Sequence, residues 1–281
     1  MSLRASFRNS ARVIFKRPIR LLLKFPLIFQ FILRRDLRSE YSIGPCYRVR
    51  IVSRILANTK RLPTLSSGLE HLEMVSEIFR IPPSIVGDVI ECGCYLGGSS
   101  ANLSLACSRV NRQLVICDSF QGLPEPSEYD RRHFSVFDQH TDIYEKGRFA
   151  ASLEDVKSNI DRRGKLAVCE FEVGFFEDTL QHLDRQYVLA FLDVDLVDSL
   201  KPCLLAIWPR LQDGCRVYVH EARSLSFVSL FFDSTWWREN LGEDAPGLVG
   251  AGAGLPLEAI FGSDLGYAQK GALGAPEIAG E

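Results

Sequence analysis

The sequence predicts an α/β fold in which a mainly parallel, twisted sheet carries helices on both faces. Three observations support this prediction. Short apolar runs alternate with helical patterns along the middle of the chain. A glycine-rich turn joins the first apolar run to a helix that opens with small residues. Polar residues follow most of the runs, as they do at the carboxyl ends of parallel strands that form a binding crevice.

The strands are predicted from short runs of apolar residues, which are typical of strands buried on both faces. The five main runs are Val86–Cys92, Leu114–Cys117, Leu166–Cys169, Tyr187–Leu192 and Val217–Val219. Two later segments, Gly247–Gly254 and Leu265–Gln269, are further candidates for strands near the end of the chain.

The helices are predicted between these runs, at Gly98–Ser108, Ser152–Ile160 and Ser199–Leu211. Ser152 has the side chain of a helix N-cap, and Asp155 stands three residues later, where an acid completes the cap. The alternation of strand and helix therefore continues through most of the chain.

By composition, the chain divides into three parts. Residues 1–40 form a basic, apolar arm, residues 41–84 a helical lead-in, and residues 85–281 the domain that holds the sheet. Residues 1–50 contain 12 Lys and Arg against two acidic residues, although the whole chain has a net charge of -2. A basic segment rich in aliphatic side chains suits lipid headgroups or a protein partner better than nucleic acid.

The apolar stretch in the arm is too short to span a membrane. Leu21–Leu33 is interrupted by Lys24, Pro26 and Gln30, whereas a spanning helix needs roughly 20 apolar residues. We therefore expect either peripheral membrane contact through residues 1–35 or packing on the body or on a second copy in a homo-oligomer. No nucleic-acid partner is expected.

Eight cysteines are present, and none belongs to a CxxC pair. Cys92 and Cys94 have the wrong spacing for a metal or redox pair. Free thiols within apolar runs are typical of a reducing compartment, so we expect a cytoplasmic protein.

The turn after the first strand carries the first binding signal. It contains Glu91, Gly93, Tyr95, Gly97 and Ser99, and it opens a helix whose N–H groups face the turn. An acid at the strand end suits the α-amino group of a cofactor with a methionine tail and suits a pyrophosphate poorly. This pattern therefore favours S-adenosylmethionine, although a plain strand-to-helix turn remains an alternative.

The turns after the second and third strands carry further signals. Asp118 and Ser119 follow the second strand, where an acid accepts hydrogen bonds from ribose hydroxyls. Gly174 and Phe176 follow the third, where a glycine with aromatic neighbours either walls an adenine pocket or packs on the sheet. These features indicate a ligand that contains adenosine. Nicotinamide cofactors also contain adenosine, so the features do not identify the reaction.

Polar groups after the fourth and fifth strands suggest a metal site. Asp193, His220 and Glu221 would converge at the same sheet edge, where they either hold a divalent cation or form a solvated rim. His133 and His140 lie in a long polar segment between the second strand and the next helix. Either histidine is a candidate general base, and an exposed role is the alternative.

Four segments resemble the macrocin O-methyltransferase family, whose members methylate deoxysugar hydroxyls. The segments are Val89–Gly93, Cys117–Pro124, Gly174–Leu180 and Leu192–Leu196. The resemblance implies a Rossmann-like class I methyltransferase fold with S-adenosylmethionine as cofactor. The acceptor implied is a sugar or a glycosylated small molecule.

The resemblance also implies roles for individual residues. Glu91, Gly93, Ser99, Asp118 and Ser119 would bind the cofactor. Asp193 would be the first metal ligand, and His140, with His133 in reserve, the base. The family has two adjacent aspartates where this chain has His220-Glu221, so the metal would be magnesium or a softer divalent ion.

Two alternatives to a methyltransferase stay open at this point. One is a nicotinamide-dependent oxidoreductase, against which the absence of a GxGxxG turn speaks. The other is a homologue that binds S-adenosylmethionine without catalysis.

Overall fold

The computed structural model describes residues 26–130, 144–257 and 263–271, which form a six-stranded sheet covered by helices. The strands are β1 (Asp88–Cys92), β2 (Leu114–Asp118), β3 (Cys169–Val173), β4 (Tyr187–Leu192), β5 (Leu211–Val219) and β6 (Gly266–Gln269). Their order in the sheet is β3-β2-β1-β4-β5-β6. All neighbouring pairs are parallel except β5 and β6, which are antiparallel.

Residues 128–130 are helical, and nine further helices are described. Residues 26–33 are helical (α1), and the others are α2 (Pro45–Arg61), α3 (Gly68–Ile78), α4 (Gly98–Val110), α5 (Leu153–Arg163), α6 (Phe176–Thr179), α7 (Val197–Ile207), α8 (Leu225–Leu230) and α9 (Ser234–Leu241). Short 3-10 turns extend several of them. Within the described residues, no helix is long and apolar enough to cross a membrane.

The chain runs outward from β1 in one direction and from β4 in the other, so the strand order reverses between β1 and β4. Right-handed crossovers then place α4 and α5 on one face and α7 on the other. On the first face, α2, α3 and α5 pack against α4. The predicted α/β fold with a mainly parallel sheet is confirmed.

The central strands are the most apolar, as expected for strands covered on both faces. Val89 and Ile90 in β1, Val115 and Ile116 in β2, and Phe191 in β4 have no exposed surface. Fully burying side chains of this size contributes about 1.5–3 kcal/mol each, so these strands form a rigid platform for the turns that follow them.

The third strand was predicted too early. Leu166–Val168 form a 3-10 turn, and β3 begins at Cys169. The reason is that β3 lies at the sheet edge, where acidic Glu170 and Glu172 alternate with apolar residues and are only partly buried. An edge strand of this kind has no continuous apolar run to reveal it.

The other boundaries shift in both directions. The predicted helix Ser199–Leu211 begins at Val197 and ends at Ile207, and Leu211 already belongs to β5, which starts earlier than predicted. Gly247–Gly254 forms turns with a single bridge from Val249 to Tyr267, so the strand considered there is wrong, whereas β6 lies within Leu265–Gln269.

The cysteines are all free thiols. Cys46 is exposed and Cys169 half-buried, and the other six are buried. Burial raises the pKa of Cys92 and Cys107 well above the usual thiol value, so these groups stay protonated and pack as small apolar side chains.

Candidate active site

One open cleft of about 800 Å³ lies at the carboxyl ends of β1, β2, β3 and β4. The turns that follow these four strands meet there, at the point where the strand order reverses. Eight of the predicted site residues line the cleft: Gly93, Tyr95, Ser99, Asp118, Ser119, Gly174, Phe176 and Asp193. The other predicted residues lie around it or outside the described part of the chain.

Gly93 allows the turns after β1 and β4 to touch. Its φ is +84°, and a Cβ atom at this position would lie 1.9 Å from the carbonyl oxygen of Asp193. The two turns are also joined by the Asp193 N–H, which donates to the Cys92 carbonyl over 2.9 Å. Glycine is therefore required by the approach of two backbones, independently of any ligand.

Gly97, predicted as a cofactor residue, does not line the cleft. Its φ is +76°, and a Cβ atom would lie 3.1 Å from Val156 and 3.3 Å from Ile160 in α5. This glycine therefore lets α5 pack against the start of α4, and its effect on a ligand is indirect.

Three of the six described residues other than glycine that have a left-handed φ lie at the cleft. Tyr95, Phe149 and Asp195 all line it, and all three adopt left-handed φ angles of 45°, 62° and 60°. Residues with side chains occupy this region at a cost of order 1–3 kcal/mol, and such residues cluster at functional sites.

Asp118 connects the first two turns through its carboxylate. Its Oδ2 atom accepts a hydrogen bond from the Cys94 N–H over 2.8 Å, and its Oδ1 atom accepts one from the Phe120 N–H over 2.8 Å. Each oxygen keeps a further lone pair for a ligand hydroxyl. The neighbouring Ser119 hydroxyl donates to the Gly122 carbonyl, so it stabilises the turn that borders the cleft.

Glu91 lies beneath the cleft and does not line it. Its side chain is fully buried, and neither carboxyl oxygen has a hydrogen-bond partner among the described residues. Burial raises the pKa of Glu91 to about 8, although the nearby Ser100 and Ser99 hydroxyls oppose the shift. The sequence pattern placed this acid at the strand end, but it lies one residue inside β1, where the side chain faces the packed helix layer.

An acidic cluster stands beside the cleft. The Nδ1 atom of His220 lies 3.3 Å from Oδ1 of Asp193 and 3.9 Å from Oε1 of Glu221. Its Nε2 atom lies 3.8 Å from Oε2 of Glu70, a residue of α3. Of these four residues, only Asp193 lines the cleft itself.

The protonation of the cluster reflects crowded, buried charges. Burial alone would lower the pKa of His220, but the carboxylate of Asp193 and then that of Glu70 raise it well above the usual value. Burial, with a further contribution from Asp193, raises the pKa of Asp195 to about 8 and that of Glu221 well above its usual range.

A divalent cation fits this cluster. Asp193, His220 and Glu221 each offer a ligand atom within 4.8 Å of the others. Both carboxyl oxygens of Glu221 are buried and lack hydrogen-bond partners among the described residues. A cation would supply the positive charge and the coordinating partner that ionised carboxylates need when they are buried.

The two candidate bases, His140 and His133, lie outside the described residues. Within the described ranges, no histidine lines the cleft. The described flanks of their segment approach the site, because Asp130 accepts a hydrogen bond from the Val197 N–H at the start of α7 and Phe149 lines the cleft.

Three contributions were missed by the sequence analysis. Pro63, Thr64 and Leu65, from the lead-in, form one wall of the cleft. Phe149 lines it as well, with its ring centroid 5.7 Å from that of Tyr95. Glu70 reaches His220 from a capping box with Ser67, and the Ser-x-x-Glu spacing was a readable signal for that box.

The strand order, with the cleft at its reversal, is that of the class I methyltransferase fold. The chain belongs to the macrocin O-methyltransferase (TylF) family, whose sequence profile matches residues 64–243. It is therefore an S-adenosylmethionine-dependent O-methyltransferase, as the resemblance implied. This membership decides against a nicotinamide oxidoreductase.

Two solved structures are similar in fold. The O-methyltransferase NovP is 21% identical, with a TM-score of 0.55, over 72% of this chain and 79% of NovP. The calicheamicin methyltransferase CalS11 is 19% identical, with a TM-score of 0.54, over 79% of this chain and 92% of CalS11. No curated protein sequence matches the chain.

Proposed function

We propose that the protein methylates a hydroxyl group of a sugar or of a glycosylated small molecule, with a divalent cation and a histidine base. The observation that carries this proposal is that a single cleft unites the turns after four strands and has Asp193, a member of the acidic cluster, in its wall. Membership of a family named for macrocin methylation supports a sugar acceptor.

The cofactor would lie along the turns after β1, β2 and β3. S-adenosylmethionine supplies an electrophilic methyl group on a sulfonium ion. Asp118 would accept hydrogen bonds from the ribose hydroxyls, because both of its oxygens keep free lone pairs beside the cleft. Gly174 and Phe176 would border the adenine, while Gly93, Tyr95, Ser99 and Ser119 would shape the rest of the site.

Asp193, His220 and Glu221 would hold the cation. A divalent cation lowers the pKa of a bound hydroxyl and orients it for attack. The imidazole in this set favours zinc, iron or nickel more than an all-oxygen site would, whereas the two carboxylates also suit magnesium or manganese.

His140 would remove the proton of the acceptor hydroxyl. The support is the match of its position in the sequence to the family's base. The strained turns at Tyr95 and Asp195 would hold the methyl donor and the acceptor oxygen in line. Such alignment supplies a large part of the rate acceleration when two bound groups react.

The acceptor would enter beside Leu65, Tyr95 and Phe149. Leu65 is 68% exposed and lines the cleft, and the Tyr95 and Phe149 rings pack edge to face. Aromatic rings offer apolar faces to the C–H side of a sugar, while their edges and hydroxyls remain polar.

A transfer assay tests the proposal. The full chain would be incubated with S-adenosylmethionine labelled in its methyl group and with a panel of glycosides and their aglycones, with and without manganese or magnesium. We expect label on glycosides only, and more of it with metal. Label on aglycones alone would refute the sugar acceptor, and equal transfer in the presence of a chelator would refute the cation.

A further inference from the structure

A chain of buried polar side chains leads from the back of the lead-in to the wall of the cleft. The Asn58 amide contacts Asn102, Asn102 contacts His71, His71 contacts Ser66, and Ser66 contacts Thr64, over 2.9, 2.8, 2.7 and 2.9 Å. His71 and Asn102 have no exposed surface, and Ser66 and Asn58 are 2% and 5% exposed. Thr64 alone among the five lines the cleft.

The direction of these hydrogen bonds is fixed at the buried end. The Nδ2 atom of Asn58 also donates to the carbonyl oxygen of Arg163 over 3.1 Å, and a carbonyl can only accept. Asn58 therefore presents its amino group to Asn102, whose Oδ1 atom accepts. The Nδ2 atom of Asn102 must then donate to Nδ1 of His71.

His71 is thereby held in one neutral form. Its Nδ1 atom accepts, so the proton sits on Nε2, which donates to the Ser66 hydroxyl. Burial lowers the pKa of His71 to about 4, consistent with an uncharged ring. A second ring proton would face the amino group of Asn102 and break the chain.

The direction continues to the cleft. The Ser66 hydroxyl contacts only His71 and Thr64 among the described residues. Because Nε2 of His71 carries a proton and cannot accept, the Ser66 hydrogen is donated to the Thr64 oxygen. The Thr64 oxygen accepts in this contact, so the hydrogen of the Thr64 hydroxyl remains available. None of the other four residues of the chain accepts it. Thr64 packs on the first residue of α4, since a Cβ atom on Gly98 would lie 3.0 Å from the Thr64 Cβ atom.

We propose that His71 is a positioning residue that, through Ser66, makes the Thr64 hydroxyl a hydrogen-bond donor to the carboxylate of the cofactor's methionine end. A carboxylate can only accept, so it matches the Thr64 hydroxyl, whose hydrogen is not used in the contact with Ser66. The electropositive start of α4 beside Thr64 favours the same anionic group. This inference rests on the proposed placement of the cofactor in the cleft.

Calorimetry with two ligands tests the role of Thr64. S-adenosylmethionine carries the carboxylate, whereas 5′-methylthioadenosine lacks the amino-acid end and keeps the adenosine. We expect Thr64→Val to bind S-adenosylmethionine about tenfold more weakly and 5′-methylthioadenosine as the wild type does, since a hydrogen bond to a charged group is of that size. Thr64→Ser retains the hydroxyl and should bind both normally.

A matched control and two relay variants test His71. Thr59→Val removes a hydroxyl that donates only to the Ile55 carbonyl within α2, and it should change neither affinity. Ser66→Ala keeps the Thr64 hydroxyl but releases its orientation, so it should lose part of the tenfold, and the double variant should lose no more than Thr64→Val. His71→Gln, whose amide can accept and donate, should bind better than His71→Leu.

The outcomes distinguish failure of the Thr64 contact from failure of the proposed cofactor site. Equal loss for both ligands in Thr64→Val or Ser66→Ala would indicate a merely structural role and overturn the inference. Unchanged binding in a folded Ser66→Ala protein would do the same. Failure of the wild type to bind S-adenosylmethionine would instead contradict the proposed cofactor site.

Discussion

The Nδ1 atom of His220 lies 3.3 Å from the Oδ1 atom of Asp193, and this pair joins the end of β5 to the end of β4. A second carboxylate, that of Glu70, lies on the other side of the histidine, 3.8 Å from its Nε2 atom. The cluster offers both nitrogen and oxygen atoms to a cation, and different divalent ions prefer different donor atoms. The dependence of transfer on the added cation is therefore the most informative property to measure.

Removing Glu221, a proposed metal ligand, should strongly reduce metal-dependent transfer. A neutral amide binds a cation more weakly than a carboxylate does, so Glu221→Gln should lose the cation that lowers the pKa of the acceptor hydroxyl. We therefore expect this variant to lower kcat by at least about 100-fold. Transfer would be measured across a titration of manganese and magnesium. Glu239→Gln, an exposed change in α9, is the control. The metal assignment is wrong if Glu221→Gln keeps full metal-stimulated activity.

The base can be tested independently of cofactor binding. His140→Ala should reduce transfer by about 10²–10⁴-fold, the usual contribution of a general base, and leave S-adenosylmethionine affinity unchanged. His133→Ala serves as the matched change in the same segment and should remain active. Activity lost in His133→Ala and kept in His140→Ala would reverse the two assignments.

Asp118 should matter for both the turns and the cofactor. In Asp118→Asn, one of the two oxygens becomes an amino group that faces a backbone N–H, either that of Cys94 or that of Phe120. An unsatisfied donor pair of this kind costs about 1–3 kcal/mol. Urea unfolding should show that loss, and calorimetry should show at least tenfold weaker cofactor binding. Normal affinity would argue against a ribose contact.

Gly93→Ala should disrupt the meeting of the two turns. The added Cβ atom would overlap the Asp193 carbonyl at 1.9 Å in a left-handed conformation, so we expect a loss of about 3 kcal/mol or more. Gly44→Ala is the matched control, because its φ is -65° and no atom lies within 4 Å of the new methyl group. Urea unfolding of both variants measures the difference, and equal stability would show that the turns can separate freely.

The buried Glu91 should make stability depend on pH. Its pKa is about 8 in the folded protein and 4.5 in an unfolded chain. The folded state therefore binds the proton more tightly, and the stability from this group is lost as the pH rises from about 4.5 to about 8. Glu91→Gln should flatten the fall in unfolding free energy between pH 5 and 8, whereas Glu239→Gln should preserve it. Parallel curves for wild type and Glu91→Gln would show that Glu91 is ionised.

The sequence predicts the central fold well, because buried parallel strands leave continuous apolar runs such as Tyr187–Leu192. It fails at β3, where edge exposure replaces that run by alternation. Asp118 and Asp193 could be found because strand ends share one sheet edge. Thr64 and Glu70 could not be placed from strand patterns, because they reach the site through helix packing between distant parts of the chain.

The contact between Asp264 and Glu70 sets the order in which the site can be completed during synthesis. The Asp264 N–H donates to Oε1 of Glu70 across 194 positions of sequence, and the other oxygen of Glu70 faces His220. A nascent chain that has left the ribosome only as far as Glu221 therefore has every cluster residue but lacks the Asp264 N–H, one of the two backbone donors that hold Glu70. The surroundings of Glu70 are accordingly completed only after residue 264 has joined the chain, however early the four clustered side chains meet.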